Sequence, residues 1–283
     1  MNIRVWLLKN GTEPHELIEQ ESPDELDTFD AITMAIPGGA YTTFRTYEHD
    51  KALKLEAHLE RLKETSQLAG ESLKYDPAGI RSYIRDIIEQ YPDDQELRIR
   101  IVLDLSEKPG EIYLMSEPLK TPSESDYRDG VKLVTCNHQR VNPKAKLTRS
   151  IPGAQEIRAG FGEDVHEALM LDEEGYILEG LTSNFFAVYR GELWTNEEDV
   201  LSGVTRSLVL EVAESAGTII NYKSVKLDMV GAFEEAFITS SSRAILPVVQ
   251  INNTIISHGV PGFTTRMLMY LLNKKIEQEI QAI

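Results

Sequence analysis

Glu179 to Phe186 reads Glu-Gly-Leu-Thr-Ser-Asn-Phe-Phe: a carboxylate, a glycine, small hydroxyl and amide side chains, then two aromatic residues. Together with Lys146, far upstream, the octet supplies the parts needed to hold a cofactor that acts as an electron sink. Such a site is built from several segments. The fold must therefore bring separate stretches of chain together.

A chain of 283 residues with 41% apolar content can bury a substantial core, and two α+β domains are expected. The net charge of −17 argues against a nucleic-acid partner, because neutralising phosphates takes clustered Lys and Arg. Cys136 is the single cysteine, which excludes an intramolecular disulfide and any multi-cysteine metal site and fits a reducing, cytoplasmic setting. The stretch Met1 to Lys9 lacks an apolar core long enough for a signal peptide, and Asn10-Gly11 breaks it early. Nowhere do about 18 apolar residues run without a charge, so no membrane span is expected. The six histidines are scattered without the paired spacing of a metal-binding helix, and no metal is expected.

Residues 11–30, acidic around Pro14 and Pro23, read as a strand edge or an exposed connection. Thr42 to Tyr47 reads as a strand entered through Pro37-Gly38-Gly39, whose glycines would let backbone approach a ligand. Leu55, Leu59 and Leu62 predict an amphipathic helix running toward Leu68, with Arg61 off the leucine stripe. A second helix is predicted over Pro77 to Gln90. Leu97 to Leu103 alternates as a half-buried strand, with Ile112 to Met115 beside it. Pro118 and Pro122, among polar residues, mark an interdomain linker. Beyond it, Val131 to Thr135 is a strand, and the run from Ala168 through Thr195 reads as a β-meander. Val204 to Ala216 is helical with Gly217 as its stop, so Gly203-Val204-Thr205 sits at a helix N-terminus, where open amides favour an anion. A last helix over about Thr264 to Gln281, burying Met267, Leu271 and Leu272, follows a hairpin at Asn252-Asn253.

The central motif runs Glu167-Ala168-Leu169-Met170-Leu171-Asp172, then Gly175, Glu179-Gly180 and Ser183-Asn184-Phe185-Phe186. It resembles the class IV, or fold-type IV, pyridoxal-phosphate enzymes, a family that includes branched-chain aminotransferases, D-amino-acid aminotransferases and aminodeoxychorismate lyase. The resemblance implies an α+β, two-domain fold-type IV architecture similar to that of D-amino-acid aminotransferase. A small α/β domain would occupy residues 1–121, and a larger domain over residues 122–283 would carry the Schiff-base lysine.

Lys146, in Lys146-Leu147-Thr148-Arg149-Ser150-Ile151, is similar to the family lysine that bonds the cofactor aldehyde, a role open to an amine that can lose its charge. Lys144 is its rival two positions away, and a surface lysine is the bland reading of either. Glu179 would keep the pyridine nitrogen protonated; alone, it would read as a solvated hairpin carboxylate. Arg61, in His58-Leu59-Glu60-Arg61-Leu62, resembles the arginine that forks onto the cofactor phosphate, against an exposed helix arginine paired with Glu60 or Glu64. Val204 and Thr205, through their amides and the Thr205 hydroxyl, and Ser241, in Thr239-Ser240-Ser241-Ser242-Arg243, resemble two further phosphate segments. The plain readings are a loop-to-helix junction and a serine-rich turn.

Three departures bear on substrate. Ile151 stands where branched-chain aminotransferases usually have tyrosine, Thr42 follows Tyr41 where a glutamate is common, and Arg243 stands where a glutamate often precedes the Ile-Thr-Pro-Val pattern. Arg98, Arg100 and Arg243 are candidates for gripping a substrate carboxylate, and Tyr41 for lining the pocket. Arg98 and Arg100 share one strand face, so a solvated strand edge is the competing reading. The resemblance implies pyridoxal 5'-phosphate as cofactor, amino acid and 2-oxo acid as substrates, and a homodimer. A lyase releasing pyruvate is the alternative enzyme, and a cofactor-free binding protein on the same fold is the alternative of another class.

Overall fold

The structure, a computed structural model, describes residues 3–9, 17–20, 26, 28–71 and 77–283. Most of the acidic stretch over residues 11–30, including Pro14 and Pro23, lies outside them, as does the Asn10-Gly11 break. The chain forms two compact units. One comprises the chain up to Lys120 together with Ala145–Gly153 and Glu279–Ile283, and the other Thr121–Lys144 and Ala154–Gln278. A single division at residue 121 is thus replaced by repeated crossings, and Lys146 belongs to the first unit. The cause is main-chain pairing: the Tyr41 amide donates to the Lys146 carbonyl at 2.9 Å, and Leu147 bridges Ala40.

The first unit contains β1 (Arg4–Leu8), β2 (Leu17–Gln20), α1 (Phe29–Ala35), β3 (Gly39–Tyr47), β4 (Lys51–Leu53), α2 (Leu55–Leu68), α3 (Pro77–Ile88), β5 (Leu97–Asp104) and β6 (Ile112–Pro118). Its antiparallel sheet runs from the terminal segment Ile280–Ala282 through β4, β3, β5, β6 and β1 to β2. Leucines of α2 and isoleucines of α3 pack with Phe44, Ile99 and Ile101 in one cluster, while Phe29 and Ile32 of α1 pack with Val102 and Met115 in another. With both faces covered, β5 is buried nearly throughout, not half-buried as its alternation predicts. Gly39 serves the sheet itself, since a Cβ there would overlap the Leu103 carbonyl on β5.

The second unit contains α4 (Glu124–Asp129), β7 (Val131–Cys136), β8 (Val165–Leu171), β9 (Ile177–Gly180), β10 (Asn184–Tyr189), β11 (Glu192–Trp194), α5 (Val204–Ser215), β12 (Ile220–Asn221), β13 (Glu235–Ser240), β14 (Ala244–Ile251), β15 (Thr254–Ile255) and α6 (Phe263–Glu279). A shorter helix over Ile151–Ala159 crosses the boundary of the two units. The expected linker is only partly irregular: β6 reaches Pro118, and α4 starts at a capping box of Ser123 and Asp126.

The sheet order is β12-β11-β10-β13-β14-β7-β8-β9, with β7 parallel to both of its neighbours. The expected meander is two hairpins, β8–β9 and β10–β11. The turn between β9 and β10 gives the Thr182 amide and the Thr182 and Ser183 hydroxyls to the Glu167 carboxylate, so the chain leaves the ladder there. Phe186 stacks on Phe237 at 4.9 Å, and Phe185 joins Leu133, Leu169, Ile238 and Leu246 in a core cluster.

Helix α6 is anchored by the Glu235 carboxylate, which accepts the Thr264 and Thr265 amides at 2.9 and 2.6 Å, a favourable place for negative charge. Its buried stripe is Thr265, Leu268, Leu272 and Ile276; Met267 and Leu271 are only half-buried, one position off the predicted line. The helix ends at Glu279 because Ile280–Ala282 pairs with β4. Among the described residues no helix is long and apolar enough to cross a membrane, and no group of three or more His, Cys, Asp or Glu could hold a metal ion.

Candidate active site

Helix α2 buries two adjacent lines of side chains: Leu55, Leu59 and Leu62, and beside them His58, Arg61 and Thr65. Arg61, off the leucine stripe as predicted, is nonetheless 7% exposed. Its Nη2 donates to the Thr42 hydroxyl at 2.6 Å and lies 3.2 Å from His58 Nδ1, which in turn is 2.9 Å from Thr42 Oγ1. Its Nε has no hydrogen-bond partner, and no carboxylate lies within ion-pair distance of it, among the described residues. Burial lowers the Arg61 pKa to about 10, with Tyr41 and Glu64 acting in the opposite direction. Burial, and then the charges of Arg61 and Lys146, holds His58 well below 6.5. A buried guanidinium with neutral partners and an open N–H fits an anion such as a phosphate.

Lys146 is placed by its backbone: its amide donates to Thr65 Oγ1 at 3.3 Å, and its carbonyl accepts from Tyr41. Its Nζ lies 4.7 Å from the centre of the Tyr41 ring. Lys144 belongs to the second unit, where its amine donates to the Glu197 carbonyl. Arg100 lies 5.0 Å from the same Tyr41 ring, but its guanidinium is held by Asp30 at 2.9 Å, Thr33 at 2.7 Å and Thr43 at 3.1 Å. Arg98 is ion-paired with Glu117, and both arginines pack over Phe29, which confirms their common face. That face is covered by α1, not a solvated edge.

In the second unit Glu179, 2% exposed on β9, accepts two hydrogen bonds and pairs with one cation. Its Oε2 accepts from Asn184 Nδ2 at 2.9 Å and the Leu201 amide at 3.1 Å; its Oε1 is 3.0 Å from Arg140 Nη1. Asn184 spends its other amide hydrogen on the Leu201 carbonyl, and a Cβ on Gly203 would overlap Asn184 Oδ1. Gly203 is thereby required where α5 begins. It offers the helix no side-chain cap, so the first-turn amides of Val204 and Thr205 are suited to an anion. Arg206 ties this helix to the preceding loop through the Asn196 carbonyl at 2.8 Å and Glu197 at 2.5 Å.

Ser241 lies in the turn between β13 and β14. At the end of that turn Arg243 pairs with Glu167 at 3.0 Å and donates to Ser240 Oγ and Thr182 Oγ1, both at 2.9 Å. Glu167 is 1% exposed. Burial alone would raise its pKa, but Arg243 and the Thr182 donors outweigh it and hold the carboxyl below its ordinary value.

All three arginines considered for a substrate carboxylate therefore carry a protein carboxylate already: Glu117 on Arg98, Asp30 on Arg100 and Glu167 on Arg243. Arg140 and the cradle of Thr42 and His58 are parts that sequence reasoning missed. Arg140 sits in a polar loop with no periodicity to mark it; the only cue is that a buried Glu179 needs a cation.

Residues 39–251 match the family model for amino-transferase class IV. Similar proteins include a branched-chain-amino-acid aminotransferase of Pseudomonas aeruginosa, 25% identical over 257 residues, 81% of either chain. A D-alanine aminotransferase of Bacillus licheniformis is 22% identical over 253 residues, 85% of this chain and 88% of the relative. Among solved structures, the branched-chain aminotransferase of the thermophilic archaeon Thermoproteus uzoniensis, with norvaline, superposes with a TM-score of 0.77 at 24% identity, covering 99% of this chain and 98% of that one.

Proposed function

The chain belongs to the class IV aminotransferase family, and from that premise we propose that it moves an amino group between an amino acid and a 2-oxo acid with Lys146 as its catalytic base. The observation that carries the reading is the family match over residues 39–251, a range that contains Tyr41, Arg61, Lys146, Glu179, Thr205 and Ser241. Pyridoxal 5'-phosphate supplies an aldehyde to carry the amino group and a protonated ring to absorb the charge left on the α-carbon.

The chain's own groups do the rest. Arg61 is the candidate for the cofactor phosphate in the first unit; the amides of Val204 and Thr205, the Thr205 hydroxyl and Ser241 are the candidate anion donors of the second. Its incomplete hydrogen bonding supports this role for Arg61. Glu179 would keep the proton on the ring nitrogen, and Arg140 and Asn184 orient that carboxylate. Lys146 Nζ would take the α-proton and return it one atom away. Lys146 is favoured over Lys144 because the Lys144 amine is bound to the Glu197 carbonyl. Tyr41, beside the Lys146 amine, would line the substrate pocket.

Arg98, Arg100 and Arg243 are already paired with protein carboxylates, so for any of them to grip a substrate carboxylate it would have to exchange that partner. The similar proteins named for branched-chain and D-alanine substrates support a donor of one of those types. They also favour transamination over elimination to pyruvate. A cytoplasmic homodimer fits the single cysteine, the acidic charge and the family resemblance.

The test is a panel of D- and L-amino acids with 2-oxoglutarate or pyruvate, followed by the cofactor spectrum. Turnover that requires the 2-oxo acid supports the proposal. Pyruvate release from aminodeoxychorismate with no acceptor would replace it with a lyase, and no spectral response to any amino acid would point to a binding protein.

A further inference from the structure

We propose that His58 is a positioning residue: with Thr42 it forms a neutral cradle that orients the Arg61 guanidinium toward the phosphate it binds. This rests on the reading that Arg61 holds the cofactor phosphate. A guanidinium has only donors, so in the 2.6 Å contact Thr42 Oγ1 accepts from Arg61 Nη2. The hydroxyl keeps its own proton, and the acceptor within reach is His58 Nδ1 at 2.9 Å. Nδ1 is therefore unprotonated, and the imidazole is neutral with its hydrogen on Nε2. A protonated ring would turn an N–H toward Nη2, 3.2 Å away, and set two buried cations face to face.

The rest of the surroundings agree. His58 is 2% exposed, and the Phe44 ring packs 5.6 Å from it, which limits its rotation. Burial and the neighbouring charges of Arg61 and Lys146 disfavour its cation.

The identity of residue 42 shows what the cradle achieves. Thr42 stands where the family resemblance leads one to expect a glutamate. A hydroxyl backed by a neutral imidazole fixes one nitrogen and leaves both the positive charge and Nε for a ligand. His58 thus acts through Arg61 and need not touch the cofactor.

The experiment measures dissociation constants of the apo-protein for pyridoxal 5'-phosphate and for pyridoxal, which lacks the phosphate, together with apo-protein melting. His58→Leu should weaken pyridoxal phosphate binding by about tenfold, the scale of one lost hydrogen bond to a charged group, and leave pyridoxal binding unchanged. His58→Asn, which restores an acceptor near the Nδ1 position, should recover most of the loss. Thr42→Val should reproduce it, and serves as the test if His58→Leu does not fold. Equal losses for pyridoxal and its phosphate, or equal losses in His58→Leu and His58→Asn, would overturn the proposal by reducing His58 to a packing residue. Arg61→Ala separates the two layers. If it leaves phosphate-dependent affinity intact, the underlying reading of Arg61 fails; if it abolishes that affinity while His58→Leu and Thr42→Val bind normally, only the cradle fails.

Discussion

Arg61, buried, and Arg243, partly buried, are both arginines in polar surroundings, and they differ in what satisfies them. Arg243 meets the carboxylate of Glu167 and two hydroxyls, so its charge is matched within the protein. Arg61 meets a hydroxyl and an imidazole, and its Nε meets nothing among the described residues. An arginine matched internally joins pieces of chain, here the Thr182 turn and the β13–β14 turn. One left incomplete is a place for a ligand. The sequence offers both as functional candidates, Arg61 by family resemblance and Arg243 by the chemistry of carboxylate recognition, and only their partners separate them.

The largest effect expected from this contrast is on stability, at Arg243. Arg243→Met leaves Glu167 buried without its cation and should destabilise the protein by about 3–5 kcal/mol in chemical denaturation. The double variant Arg243→Met/Glu167→Gln should recover part of the loss, because a neutral amide still bonds to Thr182 and Ser183. The pH dependence has a definite sign. The folded-state pKa of Glu167 is depressed, so its contribution is complete above the ordinary carboxylate value of 4.5 and is lost as pH falls through the lower folded value. Arg243→Met should move the acid unfolding midpoint of the protein upward. An unchanged midpoint and unchanged stability would mean that Arg243 is not held as described.

Arg61→Ala should show the reverse pattern. Apo-protein stability should change little, since the variant removes a buried charge that no carboxylate matches, while affinity for pyridoxal 5'-phosphate should fall by about 2–3 kcal/mol. Titration of the apo-protein followed by absorbance checks this. Stability loss without affinity loss would make Arg61 a structural residue like Arg243.

The smallest effect belongs to His58. Its folded-state pKa lies well below 6.5 while the unfolded chain protonates near that value, so stability declines as pH drops below about 6.5. His58→Asn should flatten that part of the stability–pH curve. An identical slope in wild type and variant would show that His58 does not stay neutral in the fold.

What the sequence revealed and what it hid follow physical lines. Val204–Ser215 is legible because its burial repeats with helix period, and β5 because its residues alternate apolar and charged, although nearly all of them are buried. Arg61's burial is not, because the leucine line of α2 accounts for its core face and conceals the second line of His58, Arg61 and Thr65. The return of residues 145–148 to β3 rests on main-chain hydrogen bonds, which have no residue signature. The carboxylate partners of Arg98, Arg100 and Arg243 come from 19, 70 and 76 positions away (117 − 98, 100 − 30 and 243 − 167), and no local pattern predicts such pairs. The sequence thus named the candidates, and the partners around each one show which arginines already carry a protein carboxylate.

The central claim is that Lys146 carries the chemistry, and borohydride reduction of the cofactor-loaded protein followed by peptide mapping tests it most directly. The cofactor label should be found on Lys146, should disappear in Lys146→Ala and should persist in Lys144→Ala. A label on Lys144, or one retained in Lys146→Ala, would contradict the account.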